Sequence, residues 1–150
     1  MINLEFPNIE LKTKILEGKT QVFDVVRKKY LLLTKEERVR QYFINYINRY
    51  KGYPLGLIGV ERTINYNSMK IRADIIIYNN QGIAQMIVEC KAPEVKITQQ
   101  TFDQIARYNF NLKAPFLAVT NGIQHFCCSL DYEHNKIIFL DQIPNFNELI

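Results

Sequence analysis

The stretch KIRADIIIYNNQGIAQMIVECKAP, residues 70–93, decides how the rest of the chain is read. Two apolar, β-branched runs, 70–78 and 83–91, flank the turn-forming tetrad NNQG at 79–82, which predicts an antiparallel hairpin. Each predicted strand carries charge where a core strand should not. Asp74 interrupts its run at a position that burial and strand propensity both disfavour. Glu89 and Lys91 stand two apart, hence on one face, with Val88 and Cys90 on the other. Pro93 then ends the strand.

Asp74 and the end of the second strand can meet across the turn. Two carboxylates in one place repel unless a positive charge lies between them. A hard cation such as Mg²⁺ (or Mn²⁺) meets that need, held by one or two carboxylates, a backbone carbonyl and water. A neighbouring lysine can orient or help deprotonate an attacking water and stabilise charge building on a phosphate. The plain alternative is a set of strand-end charges, with Glu89 and Lys91 forming a solvated pair. Acyl transfer fits poorly, because no Ser-His or Cys-His pairing stands out.

Working outward, Thr34 followed by Glu37 reads as a capping box opening a helix. Val39, Phe43, Tyr46, Ile47 and Tyr50 then share one face, and Gly52 and Pro54 end it. The run at 55–64 predicts another strand, making a three-stranded meander with the hairpin. After Pro93, Thr98 or Thr101 can cap a second helix with Phe102, Ile105, Tyr108 and Leu112 along one face. Residues 115–122, 123–130 and 136–140 read as further strands, and 141–150 as an irregular or short-helical tail. Upstream, KIL and QVFDVV around EGKT predict a hairpin within 11–33, followed by an extended KKYLLL. The expected fold is an α/β, mixed-sheet domain spanning 1–150. It divides into an N-terminal extension (1–33), a core (34–122), and C-terminal strands with a tail (123–150).

Composition sets bounds. Apolar residues make up 47% and charged residues 23%, ordinary for a globular domain. The net charge of +4 permits a polyanionic partner without demanding one. No apolar run is long enough to span a membrane, and the N-terminus lacks the features of an export signal. Three cysteines, two adjacent, do not form a disulfide framework and suit a reducing cytoplasm.

Taken together, RADIIIY…MIVECKAP resembles the Asp…Glu-x-Lys signature of the PD-(D/E)XK nucleases, and FDQIARYN carries the Gln-x-x-x-Tyr motif of one branch of them. More specifically, VFDVVRKKYLLLTKEERVRQYFI, GYPLGLIGVERTI, RADIIIY, VECKAPEVKITQQTFDQIARYN and LAVTNG resemble the N-terminal nuclease domain of type I restriction enzyme R subunits. They cover roughly residues 22–122 in order. The resemblance implies a restriction-endonuclease-like αβββαβ core. It implies a metal held by Asp74, Glu89 and the Cys90 carbonyl, Lys91 as catalytic lysine, and Gln104 and Tyr108 lining the site or meeting the DNA backbone. Glu37 is a further candidate ligand, though its capping role accounts for it equally. Gln104 as the third residue of a Thr101 capping box, and Tyr108 as a core aromatic, are the structural alternatives.

Arg38, Arg40 and Gln41 read as the helix's wet face. Glu61 can reach the site from the first strand but reads more readily as a strand-surface charge. Arg72, on the face of Asp74, can pair with it or meet a phosphate but reads more readily as a surface ion pair. His125 with Cys127 and Cys128 has no usual zinc spacing, and His134 lies in a turn. The implied partner is DNA, with a helicase motor or restriction-modification subunits supplied in trans. The chain carries no Gly-x-x-x-x-Gly-Lys-Ser/Thr loop, so ATP hydrolysis is not implied. Two functional classes stay open: a Mg²⁺-dependent DNA endonuclease, and an inactive nuclease-fold module binding DNA or a partner protein.

Overall fold

The computed structural model describes residues 3–66, 68–110 and 112–149, and all their side chains except those of Ile64, Asn65, Tyr66, Met69, Ile71 and Tyr108. Three short strands come first: β1 (Thr13–Leu16), β2 (Lys19–Asp24) and β3 (Lys29–Leu32). They form an antiparallel sheet in that order. The predicted hairpin is thus present with a tighter turn at Glu17–Gly18, and the extended run after it is a third strand.

Helix α1 (Lys35–Lys51) follows. Thr34 accepts the Glu37 N–H at 3.0 Å, and Gly52 closes the helix in the left-handed conformation at φ 75°, which glycine adopts without strain. Two readings of this helix need correction. Tyr50 is exposed, whereas Ile44 joins Val39, Phe43 and Ile47 in the core. The supposed wet face is also wrong: Arg40 and Gln41 are buried, at 3% and 0% exposure.

Strands β4 (Ile58–Tyr66), β5 (Met69–Tyr78) and β6 (Ala84–Cys90) make the expected meander. Helix α2 (Gln99–Phe110), capped by Thr98 through the Thr101 N–H at 3.1 Å, then carries the chain across the sheet. Thr101 therefore lies inside the helix, and Gln104 is not part of a Thr101 capping box. Strand β7 (Phe116–Thr120) pairs parallel with β6, the geometry that a helical crossover allows. β8 (His125–Asp131) and β9 (Lys136–Leu140) complete a six-stranded sheet in sequential order.

The large sheet is covered on both faces. Val39, Phe43, Ile44 and Ile47 of α1 pack on Ile75, Ile77, Met86 and Val88. Phe102 and Ala106 of α2 pack on Ile76, Ile87, Leu117 and Val119. Cys127 and Cys128 alternate into opposite cores, and burial pushes both thiols up to about 12. No described helix is long and apolar enough to cross a membrane.

Candidate active site

The β5–β6 register pairs Ile77 with Met86, Ile76 with Ile87 and Ile75 with Val88. Continuing it by one step sets Asp74 opposite Glu89. There the ladder opens, and the Asp74 Oδ2 accepts the Cys90 N–H at 2.8 Å, a side chain taking the role of a main-chain carbonyl. Lys91 follows directly, with its own N–H donated to the Thr120 carbonyl at 2.8 Å. The hairpin thus brings Asp74, Glu89 and Lys91 to one place.

A defect in the neighbouring strand sets the direction of Asp74. Ile75 and Ile77 pack in the α1-side core, whereas Ala73 packs in the α2-side core. Strict alternation would place all three on one face. The switch falls at Asp74, across from Glu61, whose φ of 49° lies in the left-handed region. For a residue with a Cβ this costs about 1–2 kcal/mol. The distortion presents both carboxylates to α1.

Arg40 meets them there. Its guanidinium lies 2.8 Å from Glu37, 2.9 Å from Glu61 and 3.1 Å from Asp74 Oδ1, with Glu36 at 3.5 Å. Burial alone would favour the neutral form, but Glu37 and Asp74 hold Arg40 above its ordinary value. Behind it, Gln41 donates to Glu37 at 3.1 Å and to the fully buried Asp24 at 2.9 Å. Arg27 links Asp24 (2.8 Å), Glu37 (3.4 Å) and Glu61 (3.6 Å). Burial raises Asp24, yet hydrogen bonds from Arg27 and Gln41 outweigh it and hold the carboxyl below its ordinary value. A continuous path of charges therefore joins the small sheet, α1 and the hairpin.

Glu37 turns its carboxylate to Arg40, Gln41 and Arg27. The return half of its predicted capping box is replaced by Thr34 N–H donating to the Leu32 carbonyl. Glu61 belongs to the network, and Arg72 pairs with it at 2.6 Å. Gln104 is exposed on α2, and among the described residues no contact joins it to Asp74, Glu89 or Lys91. Gln104 and Tyr108 stand four apart on that helix; the Tyr108 side chain lies outside the described residues. Sequence reading missed Arg27 and Asp24, placed Arg40 on the wet face, and named Glu61 only as the lesser alternative to a strand-surface charge. The available signal was the density of polar residues in EERVRQ on a helix that must bury most of its circumference.

The ion-paired set around Asp74 holds five carboxylates (Asp24, Glu36, Glu37, Glu61, Asp74) against three arginines (Arg27, Arg40, Arg72). Adding Lys91 and an ionised Glu89 leaves the same excess of two negative charges; while Glu89 keeps its proton the excess is one. Burial, and then the Asp74 charge, push Glu89 up to about 8. An oxygen-only pair of carboxylates whose charges oppose each other is the donor set that a hard divalent cation takes. Among the described residues no cluster of three ligating side chains exists. A backbone carbonyl, such as that of Cys90, and water would have to complete the shell of an ion held by Asp74 and Glu89.

A stability experiment follows from Glu89. The folded state keeps a proton that the unfolded chain releases near 4.5, the ordinary value. The stabilisation is complete below that pH and is lost as pH rises towards about 8. Metal-free protein should therefore melt several degrees lower at pH 8 than at pH 5. Glu89→Gln should flatten that slope, and Mg²⁺ should raise the melting temperature more at pH 8 than at pH 5. A slope unchanged in Glu89→Gln would assign the pH dependence elsewhere.

The family model for the type I restriction enzyme R protein N terminus matches residues 35–144, which contain α1, the meander, α2 and the C-terminal strands. No curated protein matches the chain.

Proposed function

The chain belongs to the type I restriction enzyme R protein N-terminus family, and on that premise we propose that it is a Mg²⁺-dependent DNA endonuclease domain. The observation that carries this reading is the facing pair Asp74 and Glu89 with Lys91 beside it, held at the point where β5 and β6 part. Asp74, Glu89 and the Cys90 carbonyl would hold the cation. When bound, Mg²⁺ supplies polarisation of a phosphate oxygen and a more acidic water.

The protein's own groups do the rest. Lys91 carries a charge that acts on both Glu89 and Glu36. In this site the ammonium holds the attacking water in line and offsets the negative charge growing on the phosphate. Arg40 keeps Asp74 oriented. Gln104 and Tyr108 would track the DNA backbone from α2. DNA delivery by a motor or restriction-modification subunits in trans belongs to the same proposal, as does work in the cytoplasm.

A second reading, a nuclease-fold module that binds DNA or a protein without cutting, draws on one observation. Asp74 Oδ1 already has the Arg40 guanidinium at 3.1 Å as a counter-cation. Supercoiled plasmid separates the two. Nicking in Mg²⁺ or Mn²⁺, stopped by EDTA and absent in Asp74→Ala, is the expected result. DNA binding with no cleavage in either metal would favour the second reading.

A further inference from the structure

The small sheet has two unlike faces. Val22 and Asp24 are fully buried on its inner side. Cross-strand register puts Lys14 beside Gln21 and Leu32, Phe23 beside Tyr30, and Lys19 beside Leu16 on the outer side. Lys12 extends that face, its carbonyl accepting the Phe23 N–H at 2.8 Å. The Lys12 ammonium sits over the Phe23 ring at 5.0 Å and that of Lys14 over the Tyr30 ring at 4.0 Å. The two rings themselves meet at 5.2 Å.

Residues 12–32 contain six lysines and arginines against two carboxylates. Arg27 turns inward to Asp24, Glu37 and Glu61, and Lys29 lies opposite Asp24, so the outer face of the strands presents Lys12, Lys14 and Lys19. One of those carboxylates, Asp24, is buried on the inner side and bound to Arg27. The segment also lies outside the part of the chain that the family model matches.

We propose that the outer face of the β1–β3 sheet is a docking surface for the phosphate backbone of duplex DNA, with Lys12 and Lys14 as its anchors. Residues two apart on a strand are separated by about 6.8 Å, comparable to the spacing of successive phosphates on one DNA strand. Flexible lysines ordinarily lose side-chain freedom when they bind. Here the aromatic rings already hold both ammonium groups. Because the rings serve the lysines, they are not open platforms for unstacked bases, and the face suits a duplex rather than a single strand. The charge path through Asp24, Arg27 and Arg40 fixes this sheet relative to Asp74. The inference extends the nuclease reading but rests on a separate surface.

The test is fluorescence anisotropy of a labelled short duplex with the full chain, in Ca²⁺ to leave the DNA uncut, over a range of salt. Lys12→Ala/Lys14→Ala should bind about tenfold more weakly, with a salt slope smaller by about two. Lys12→Arg/Lys14→Arg should keep affinity, and Lys136→Ala, on the far edge strand, should match wild type. Unchanged melting of the double alanine variant would rule out misfolding as the cause. Equal affinity and slope in that variant, or tighter binding of a single strand than of the duplex, would overturn the proposal. Lysine-dependent binding here, with no plasmid nicking by wild type in Mg²⁺ or Mn²⁺, would sink the nuclease reading and leave this surface standing. Cleavage with lysine-independent binding would do the reverse.

Discussion

Arg40→Leu is expected to destabilise the fold by about 3–5 kcal/mol, the range for removing one partner from a buried ion-paired set. The Arg40 side chain is only 4% exposed and faces Glu37, Glu61 and Asp74 within 3.1 Å. Taking away its charge leaves three carboxylates converging with little water to screen them. For a chain of this length the melting temperature should fall by roughly 10 °C or more. Arg40→Lys keeps the charge but not the planar fork that reaches several carboxylates at once, so it should recover part of the loss. Near-native melting of Arg40→Leu would mean that those carboxylates are neutralised some other way. Mg²⁺ should restore more stability to Arg40→Leu than to wild type, since a second cation source then matters more. The Nε of Arg40 is buried without a hydrogen-bond partner among the described residues, so the site tolerates an unmet donor to keep the guanidinium where it is.

Lys91→Ala should lower cleavage by about 10²–10³-fold while leaving the melting temperature close to wild type, on the nuclease reading. Among the described residues the Lys91 ammonium has no hydrogen-bond or ion-pair partner, so folding does not depend on it as it depends on Arg40. Removing it also removes a charge that lowers Glu89, so Glu89 should rise further and the residual activity should shift to higher pH. Single-turnover nicking across pH, with melting curves on the same samples, separates these effects. Full activity in Lys91→Ala would remove the lysine from the chemistry. A large loss of stability with lost activity would make its role structural.

Much of this was legible in the chain order. NNQG between two apolar runs marked the hairpin and allowed Asp74 to approach the end of the next strand. The register was not legible: a shift between Ile77 and Tyr78 is what sets Asp74 opposite Glu89. The Thr34 cap, the Gly52 stop and the crossover after Pro93 depend on local chemistry, which sequence carries directly. Glu37 shows where that legibility ended. Thr-x-x-Glu spacing predicts a reciprocal cap, but a buried arginine three residues on competes for the same carboxylate and wins it, because desolvation makes a charged partner worth more than one backbone N–H.

The sequence by itself determined the alternation of elements, the hairpin that carries Asp74, Glu89 and Lys91, and the family to which the chain belongs. Only the tertiary structure decided that EERVRQ faces inward, that Glu61 switches the direction of a strand, and that Asp24 and Arg27 of the small sheet brace the site through Arg40. The reason is physical. Periodicity reports which residues are apolar, and a helix's polar residues are read as solvated unless a neighbouring element brings opposite charge to meet them. That meeting joins residues as far apart as Arg27, Arg40 and Asp74, and it exists only after the chain has folded.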